Sequence, residues 1–198
     1  MWPSVPTDDL HAVILAGGRS TRMGTDKRFL DYHGIAQVEY LFNMLTATGL
    51  QVYTSCRESD PVAPTLNPVV DSGEFSGPLA GIIAVLNKHP SKGLLAVAVD
   101  MPYVNHQAIM ELINHRDTQR FATCFLNQET GRPEPLLSIW EPACLGPLMD
   151  QIHAGNFSPV DFLITHPVNL LNPTNHEWLR NINSPEDLDS FNRQSQSP

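Results

Sequence analysis

A glycine pair followed by three cations comes directly after the first apolar run of the sequence. Gly17 and Gly18 have no side chains, so the backbone can turn tightly there and bring its N–H groups against an anion. Arg19, Arg22 and Lys27 then place three positive charges within nine residues, in a chain with only 12 lysines and arginines. Glycines, hydroxyls and positive charge after a buried strand are what a triphosphate requires, although composition alone also allows a solvated basic loop.

The spacing of this loop differs from that of two common phosphate-binding loops. A Walker A loop needs a glycine followed directly by lysine, whereas two residues separate Gly24 from Lys27. The dinucleotide fingerprint GxGxxG is absent as well, because Gly17 and Gly18 are adjacent. The loop is therefore neither a P-loop nor a dehydrogenase loop.

Two further segments carry groups that suit phosphate chemistry. Asp100 ends an apolar run, and a carboxylate there could bind Mg²⁺, which takes one or two carboxylates together with phosphate oxygens and water. Asp71 ends a shorter strand-like stretch, although either aspartate could simply form a turn. Ligands of open α/β sheets bind beyond the carboxyl ends of the strands, so we expect segments 17–27, 71–78 and 100–103 at one rim.

Apolar runs and helical stripes alternate along the chain and predict the elements that hold these segments. Strands are expected at 11–16, 51–55, 94–99, 121–126 and 136–140, and helices over 35–48, from Pro78, after Asn105, and at Ser158 and Ser184. This order predicts an α/β fold, namely a three-layer Rossmann-like sandwich with a mostly parallel sheet and helices on both faces. An antiparallel direction for one of the later strands is left open.

Length and charge limit the class of protein. The 198 residues suit a single domain over 1–198, with a core at about 11–190 and loose tails up to Asp9 and from Arg193. The net charge of −9 argues against general binding to nucleic acid or anionic membranes. The chain begins without the pattern of a signal peptide, and it has no apolar run of about 18 residues. Three cysteines without CxxC spacing indicate reduced thiols and a cytoplasmic protein, and the eight histidines indicate no metal site.

The string LAGGRSTRMGTDK resembles the L-A-G-G-x-S-x-R-M-G-x-D-K signature of the MobA-like nucleotidyltransferases, and most of all that of the molybdenum cofactor guanylyltransferases. The resemblance spans roughly 11–190, and segments 77–81, 100–103 and 181–188 agree with it in order and spacing. It implies transfer of GMP from GTP to the molybdopterin form of the molybdenum cofactor, with release of pyrophosphate. It also implies Mg²⁺ as the cofactor.

The resemblance further assigns roles to individual residues. Lys27 and Arg22 would neutralise the triphosphate, and Asp100 would hold the metal; these three form the catalytic set. The implied nucleotide-binding residues are Leu15, Ala16, Gly17, Gly18, Arg19, Lys27, Asp71, Gly77, Pro78, Leu79 and Asp100. Arg132 would bind the acceptor, in a region that also contains Glu134, and the amides of Asn181 and Asn183 would bind the acceptor or complete the ligands of the metal. Plainer interpretations of these residues stay open. Lys27 could be a surface lysine, Leu15 and Ala16 could be ordinary core residues, and Arg132 could be a turn residue. The two asparagines could merely precede a helix.

One residue departs from the family pattern. Cys56 occupies the place where family members often carry an asparagine that contacts the nucleotide, and a thiol is a weak donor and acceptor. The preference for GTP therefore rests on analogy, and a cytidylyltransferase or a transferase for another small phosphate is the main alternative. A non-catalytic carrier of the cofactor is a third, against which Lys27 and Asp100 argue. Transient contacts with molybdoenzymes or cofactor-delivery proteins stay open.

Overall fold

The computed structural model of the protein describes residues 8–16, 27–59, 62–71 and 77–195. Most of the glycine-rich loop, residues 17–26, lies outside these ranges. The described residues contain seven strands: β1 Leu10–Leu15, β2 Gln51–Cys56, β3 Pro68–Val70, β4 Gly93–Ala98, β5 Ala122–Asn127, β6 Arg132–Trp140 and β7 Val168–Leu171. They also contain six α-helices: α1 Gln37–Ala47, α2 Pro78–Lys88, α3 His106–Asn114, α4 Leu145–His153, α5 Pro159–Thr165 and α6 Pro185–Ser195.

The seven strands form one sheet in the order β3-β2-β1-β4-β6-β5-β7. β1 pairs in parallel with β2 and β4, β2 with β3, and β5 with β7. β6 runs antiparallel to both of its neighbours, β4 and β5. Only a short turn separates β5 from β6, and a parallel pair would need a crossover of about a dozen residues. The prediction of a mostly parallel sheet is confirmed, and the antiparallel strand is β6.

Helices cover both faces of this sheet. Along β1, Ala12 and Ile14 belong to one buried cluster and Val13 and Leu15 to another, because successive side chains of a strand point to opposite faces. Helices α1 and α3 contribute to the first cluster, and α2, α4 and α5 to the second. Every residue of β4 is buried, as expected of a central strand covered on both sides. This is the three-layer sandwich that the sequence predicted.

The predicted helix caps are present. Asn105 Oδ1 accepts a hydrogen bond from the N–H of Ala108 at the start of α3 (3.1 Å), and Ser158 caps α5 in the same way. At α6 the Ser184 hydroxyl accepts from the N–H of Asp187 (3.2 Å), and the Asp187 carboxylate accepts from the N–H of Ser184 (3.0 Å). Such a reciprocal pair is a capping box, which satisfies two N–H groups that the helix leaves unpaired.

The structure adds detail at both ends of the fold and at one edge of the sheet. Helix α6 continues to Ser195, so residues 193–195, expected in a loose tail, are helical. Asp9, expected in the other tail, accepts a hydrogen bond from Arg116 Nη1 (2.8 Å), and the buried Glu141 also binds Arg116. The sequence did not predict β7, because this edge strand has only four residues and is only partly buried, so no clear apolar run marks it.

The cysteines are buried within the sandwich. Cys56, Cys124 and Cys144 are all free thiols. Burial raises the pKa of Cys124 and that of Cys144 to about 12, which keeps both protonated and unreactive near neutral pH. No helix in the described part of the chain combines the length and the apolar character needed to cross a bilayer.

Candidate active site

The ends of four strands meet at one edge of the sheet. β1 ends at Leu15, whose carbonyl oxygen accepts a hydrogen bond from the N–H of Val99, directly after β4 (3.3 Å). Asp71 follows β3, and its N–H donates to the carbonyl oxygen of Cys56 at the end of β2 (3.0 Å). Asp100 comes two residues after β4. The structure therefore brings the strand ends that carry Leu15, Asp71 and Asp100 to one rim.

Lys27 joins two parts of this rim that are far apart in the sequence. Its ammonium Nζ donates to Asp100 Oδ2 (3.1 Å) and to Asn183 Oδ1 (2.7 Å). The side chains of Lys27 and Asp100 are 14% and 23% exposed, so the ion pair is partly shielded from water. Lys27, to which the resemblance assigns a triphosphate role, thus directly contacts one residue with an implied metal role and one with an implied acceptor role.

Backbone hydrogen bonds hold the segment with both asparagines against Asp100. The N–H of Ile182 donates to the carbonyl oxygen of Asp100 (2.9 Å), and the Ile182 side chain is buried. Asp187 Oδ2 accepts from the N–H of Asn183 (3.0 Å) as well as from that of Ser184. The hydrogen bond from Asn183 is the largest of the effects that lower the pKa of Asp187. The start of α6 therefore fixes the position from which Asn183 meets Lys27.

Three buried polar atoms in this region have no hydrogen-bond partner among the described residues: Asp100 Oδ1, Asn181 Oδ1 and Tyr32 Oη. Tyr32 packs in one cluster with Ile182. Burial and the nearby charge of Asp100 raise the pKa of Tyr32 to about 12. A buried polar atom without a partner costs free energy, so such atoms mark places where water, an ion or a ligand binds.

The unpartnered oxygens suit a hard divalent cation. Mg²⁺ takes only oxygen ligands, and it commonly keeps water and phosphate oxygens beside one or two carboxylates. Asp100 offers a carboxylate oxygen and Asn181 an amide oxygen. Within the described ranges, no group of three or more His, Cys, Asp or Glu residues could hold a metal ion. A magnesium ion at Asp100 would therefore need phosphate and water to complete its ligands.

On the predicted nucleotide side, the described residues offer mainly backbone groups. Leu15, Ala16 and Leu79 are buried, so their side chains belong to the core and only their backbone could contact a nucleotide. Gly77 has φ of +85°, in the left-handed region that glycine adopts without strain. Pro78 follows as the first residue of α2. Pro78 has no N–H, and the N–H of Ala80 donates to the carbonyl oxygen of Gly77 (3.3 Å), so the start of α2 favours a negatively charged ligand mainly through the positive end of the helix dipole.

The second glycine of the segment 77–81 has a packing role. Gly81 lies inside α2, where a Cβ would meet the Ser55 side chain, 2.7 Å from its Cβ, and would lie 3.0 Å from Leu15 Cδ2. Real Cβ atoms essentially never come as close as the first of these distances. Glycine at this position therefore lets α2 pack closely against β1 and β2, next to the rim.

Two residues of the predicted acceptor side have different environments. Arg132, the first residue of β6, is exposed. Glu134 is only 8% exposed, and its Oε1 accepts a hydrogen bond from the N–H of Leu136 (2.9 Å). Burial raises the pKa of Glu134 to about 7 against the opposing effect of the Leu136 N–H, and the charge of Asp100 adds to the increase. No pattern in the sequence indicated that this carboxylate is buried and close enough to Asp100 to be affected by its charge.

Four of the predicted site residues belong to the glycine-rich loop. Gly17, Gly18, Arg19 and Arg22 lie outside the described residues. Cys56, the departure from the family pattern, is 1% exposed. Sequence reasoning also missed Tyr32, for which no motif gave a signal.

Comparison with known proteins identifies relatives. The chain matches the family model described as the MobA-like NTP transferase domain over residues 12–164. A molybdenum cofactor biosynthesis bifunctional protein from Synechocystis sp. is 33% identical over 186 residues, which cover 92% of this chain and 54% of the relative. A probable molybdenum cofactor guanylyltransferase from Trichormus variabilis is 30% identical over 186 residues, which cover 91% of this chain and 89% of the relative. This chain thus spans about half of the bifunctional relative and most of the other.

Solved structures share the fold. Molybdopterin-guanine dinucleotide biosynthesis protein A from Archaeoglobus fulgidus has a TM-score of 0.76 at 20% identity, over 94% of this chain and 98% of that one. A nucleotidyl transferase from Methanothermobacter has a TM-score of 0.74 at 16% identity, over 94% and 99%. The family model covers more than half of the sequence, and the relative from Trichormus is matched over most of its length. On these two grounds, the chain belongs to the MobA-like NTP transferase family.

Proposed function

We propose that the protein transfers GMP from GTP to the phosphate of a molybdopterin-type acceptor. An oxygen of the acceptor phosphate attacks the α-phosphorus of GTP, and the bond from that phosphorus to the bridging oxygen breaks, which releases pyrophosphate. The observation that carries the proposal is the contact of Lys27 with both Asp100 and Asn183 at the rim. The names of the relatives from Synechocystis and Trichormus, both of which refer to the molybdenum cofactor, supply the acceptor.

The reaction needs positioning and charge neutralisation more than covalent chemistry. Both the attacking phosphate and the triphosphate are anions, so cations must offset their repulsion. We assign this role to Lys27 together with Arg22 and Arg19, and the backbone contacts to Leu15, Ala16, Gly17 and Gly18 and to the start of α2. Asp100, with the amide oxygen of Asn181, would hold Mg²⁺. When bound, this ion neutralises phosphate charge and raises the electrophilicity of the phosphorus.

The acceptor side is assigned to Asn183 and Arg132. Lys27 already fixes the amide of Asn183 beside the site, and Arg132 is an exposed cation at the start of β6. An arginine can bind a phosphate through two parallel hydrogen bonds, which would orient the acceptor. Asp71, Gly77, Pro78 and Leu79 are assigned to the nucleotide.

Base preference separates this proposal from its main alternative. The 2-C-methyl-D-erythritol 4-phosphate cytidylyltransferase of Thermus thermophilus shares the fold, with a TM-score of 0.66 at 14% identity. The fold alone therefore does not choose between GTP and CTP. Cys56 is a second reason to test the base directly. A buried thiol cannot replace the hydrogen bonds that an asparagine would make to the nucleotide at this position.

Thermal unfolding with Mg²⁺ and each of GTP, CTP, ATP and UTP tests the nucleotide. A ligand that binds only the folded state raises its stability in proportion to RT ln(1 + [L]/Kd), so the preferred nucleotide gives the largest increase in Tm. We expect GTP to do so. A larger shift with CTP would replace the guanylyl product by a cytidylyl product and keep the chemistry.

Pyrophosphate release with GTP and a molybdopterin acceptor tests the reaction and distinguishes it from a carrier. We expect Asp100→Asn to reduce turnover by about a hundredfold or more in a protein that still folds, with a decrease in Tm of only a few degrees from the lost ion pair with Lys27. Asp150→Asn, which alters an exposed residue of α4, is the matched control and should retain turnover. A carrier would release no pyrophosphate and would bind the cofactor with or without the Asp100 carboxylate.

We also infer a cytoplasmic location, which the three buried free thiols support. The dinucleotide product would then have to reach the enzymes that use it. Transient contact with molybdoenzymes or with cofactor-delivery proteins follows from this requirement. Fractionation of cells and crosslinking in the presence of the product would test both inferences.

A further inference from the structure

Glu134 is a buried carboxylate for which the reaction described above has no use. The residue is 8% exposed, and its one hydrogen bond comes from the N–H of Leu136 to Oε1. Among the described residues it forms no ion pair with a lysine, arginine or histidine. Desolvation of an unpaired carboxylate is costly, so such groups are normally paired with a cation or coordinate a metal.

The pairing of β4 with β6 brings Glu134 and Asp100 to the same end of these two strands. In this antiparallel pair, Val97 lies opposite Leu137. β4 ends one residue later, at Ala98, and Asp100 follows in a turn in which the N–H of Met101 donates to the carbonyl oxygen of Ala98 (3.3 Å). Glu134 lies three residues before Leu137 in β6, beyond the same end of the pairing. The charge of Asp100 acts on Glu134 and adds to the increase in its pKa, as expected of two carboxylates at one end of a strand pair.

One carboxylate of this region lacks a cation in the described part of the chain. Asp100 is paired with Lys27, whose Nζ donates to Asp100 Oδ2 and to Asn183 Oδ1, whereas no described lysine, arginine or histidine pairs with Glu134. Asp100 Oδ1 stays buried and without a described partner. Tyr32 is only 8% exposed, and its hydroxyl lacks a described partner too, as does the amide oxygen of Asn181. These atoms are independent evidence that a polar ligand binds in this region.

We propose, on the basis of the function proposed above, that Glu134 is a second carboxylate ligand of the divalent cation held by Asp100. One carboxylate follows β4 and the other lies within β6. A cation that they share would remove their mutual repulsion and offset the desolvation of Glu134. Glu134 would then serve metal binding, whereas the sequence suggested the acceptor side.

Direct titration with Mn²⁺, in place of Mg²⁺, measures this role without turnover. Loss of the electron paramagnetic resonance signal of free Mn²⁺ gives the Kd, at pH 8 and in the absence of nucleotide. Glu134→Gln keeps an oxygen that can accept from the Leu136 N–H, and it replaces the charged carboxylate by a neutral amide with only one oxygen. We expect this variant to bind Mn²⁺ at least about tenfold more weakly than the wild-type protein. Glu129→Gln, in the exposed turn before β6, removes a charge nearby and should keep the wild-type Kd.

The outcomes separate this proposal from the function on which it rests. Wild-type affinity in Glu134→Gln would overturn the metal role of Glu134 and leave the transferase proposal intact; a raised KM for the acceptor in the same variant would point to acceptor binding instead. Failure of the wild-type protein to bind Mn²⁺, with or without GTP, would overturn both the metal centre and this proposal. If Glu134→Gln does not fold, Glu134→Asp decides, because a shortened carboxylate should weaken Mn²⁺ binding and wild-type affinity would refute the role.

Discussion

At the scale of single residues, Lys27 has two tasks that follow one another. Without nucleotide, its ammonium offsets the charge of Asp100 and holds Asn183 in place. In the proposed reaction it binds the triphosphate, while a divalent cation offsets Asp100. The contacts of the free protein therefore prepare the site, because Lys27 and Asp100 are held together before either meets a substrate.

A double-mutant cycle tests this ion pair. Lys27→Met leaves Asp100 without its ammonium group, whereas in an Asp100→Asn background there is no carboxylate left to lose a partner. We expect a coupling free energy of about 0.5–3 kcal/mol between the two substitutions, measured by urea unfolding in EDTA. Additive effects, within about 0.5 kcal/mol, would mean that the pair does not stabilise the metal-free protein. Glu129→Gln combined with Lys27→Met is a control in which additivity is expected.

The sequence predicted some of these residues but could not predict how they contact one another. Lys27 and Asp100 were singled out because one belongs to a cationic glycine loop and the other follows an apolar strand. The hydrogen bond from Lys27 to Asn183 spans 156 positions, and no local pattern encodes so distant a contact. The position of Glu134 at the same end of the β4–β6 pair as Asp100 depends on the direction and register of β6, which sequence periodicity does not determine.

At the scale of elements, the close packing of α2 on β1 and β2 depends on one residue. Gly81→Ala would place a Cβ against the side chains of Ser55 and Leu15, and the backbone of α2 would have to move. We expect a loss of about 1–3 kcal/mol in the free energy of unfolding, measured in urea. Because the start of α2 belongs to the proposed nucleotide site, the Kd for GTP should rise as well.

Two further variants distinguish packing from helix propensity. Ser55→Gly removes the side chain that the new methyl group would meet, so it should restore part of the stability lost in Gly81→Ala. Gly146→Ala in α4 adds a methyl group where no heavy atom lies within 4 Å. This change should leave the stability nearly unchanged, because Gly146 lies in the first turn of α4, directly before Pro147, where the restriction on a residue before proline offsets the helix propensity of alanine. Equal effects of the two Gly→Ala substitutions would contradict the packing role of Gly81.

The elements themselves were largely predictable, and the exceptions have a common cause. β1 and β4 have strong apolar patterns because they are central strands with helices on both faces, and α1 has one because it packs against the sheet. β7 escaped prediction because it lies at the edge of the sheet and presents partly exposed residues. An element that is buried on one face needs apolar residues at a regular spacing, so an element with little buried surface has no clear apolar pattern in its sequence.

At the scale of the whole molecule, polar groups of different kinds lie at the two ends of the central strands. The proposed site follows the ends of β1 and β4, whereas His11 lies near the start of β1 and contacts His89 at the end of α2, with ring centroids 4.7 Å apart. Tyr53 stacks on His89 with its centroid at 5.0 Å. His11 Nδ1 and His89 Nε2 are buried without a described hydrogen-bond partner. We therefore expect the two histidines to make the free energy of unfolding depend on pH, although they lie at the opposite end of the strands from the proposed active site.

Both imidazoles are harder to protonate in the folded protein than in the unfolded chain. Burial is the largest cause that lowers the pKa of His11 and that of His89, and the charge of Lys92 acts in the same direction on both. Below about pH 6.5, the unfolded chain therefore binds protons that the folded protein resists, so these histidines decrease stability as the pH falls. Glu134 acts in the opposite direction between its ordinary pKa and about 7, because burial favours its protonated form in the folded protein.

Comparison of variants isolates the histidine contribution from that of Glu134. We expect His89→Gln to lose less stability than the wild-type protein between pH 7.5 and pH 5.5, in thermal unfolding followed at several pH values. His153→Gln, which alters an exposed histidine at the end of α4, should reproduce the wild-type dependence. The Kd for GTP should be unchanged in His89→Gln, because the substitution lies away from the strand ends that bear Leu15 and Asp100. Parallel stability profiles for the wild-type protein and His89→Gln would show that the histidine pair does not set the pH dependence of folding.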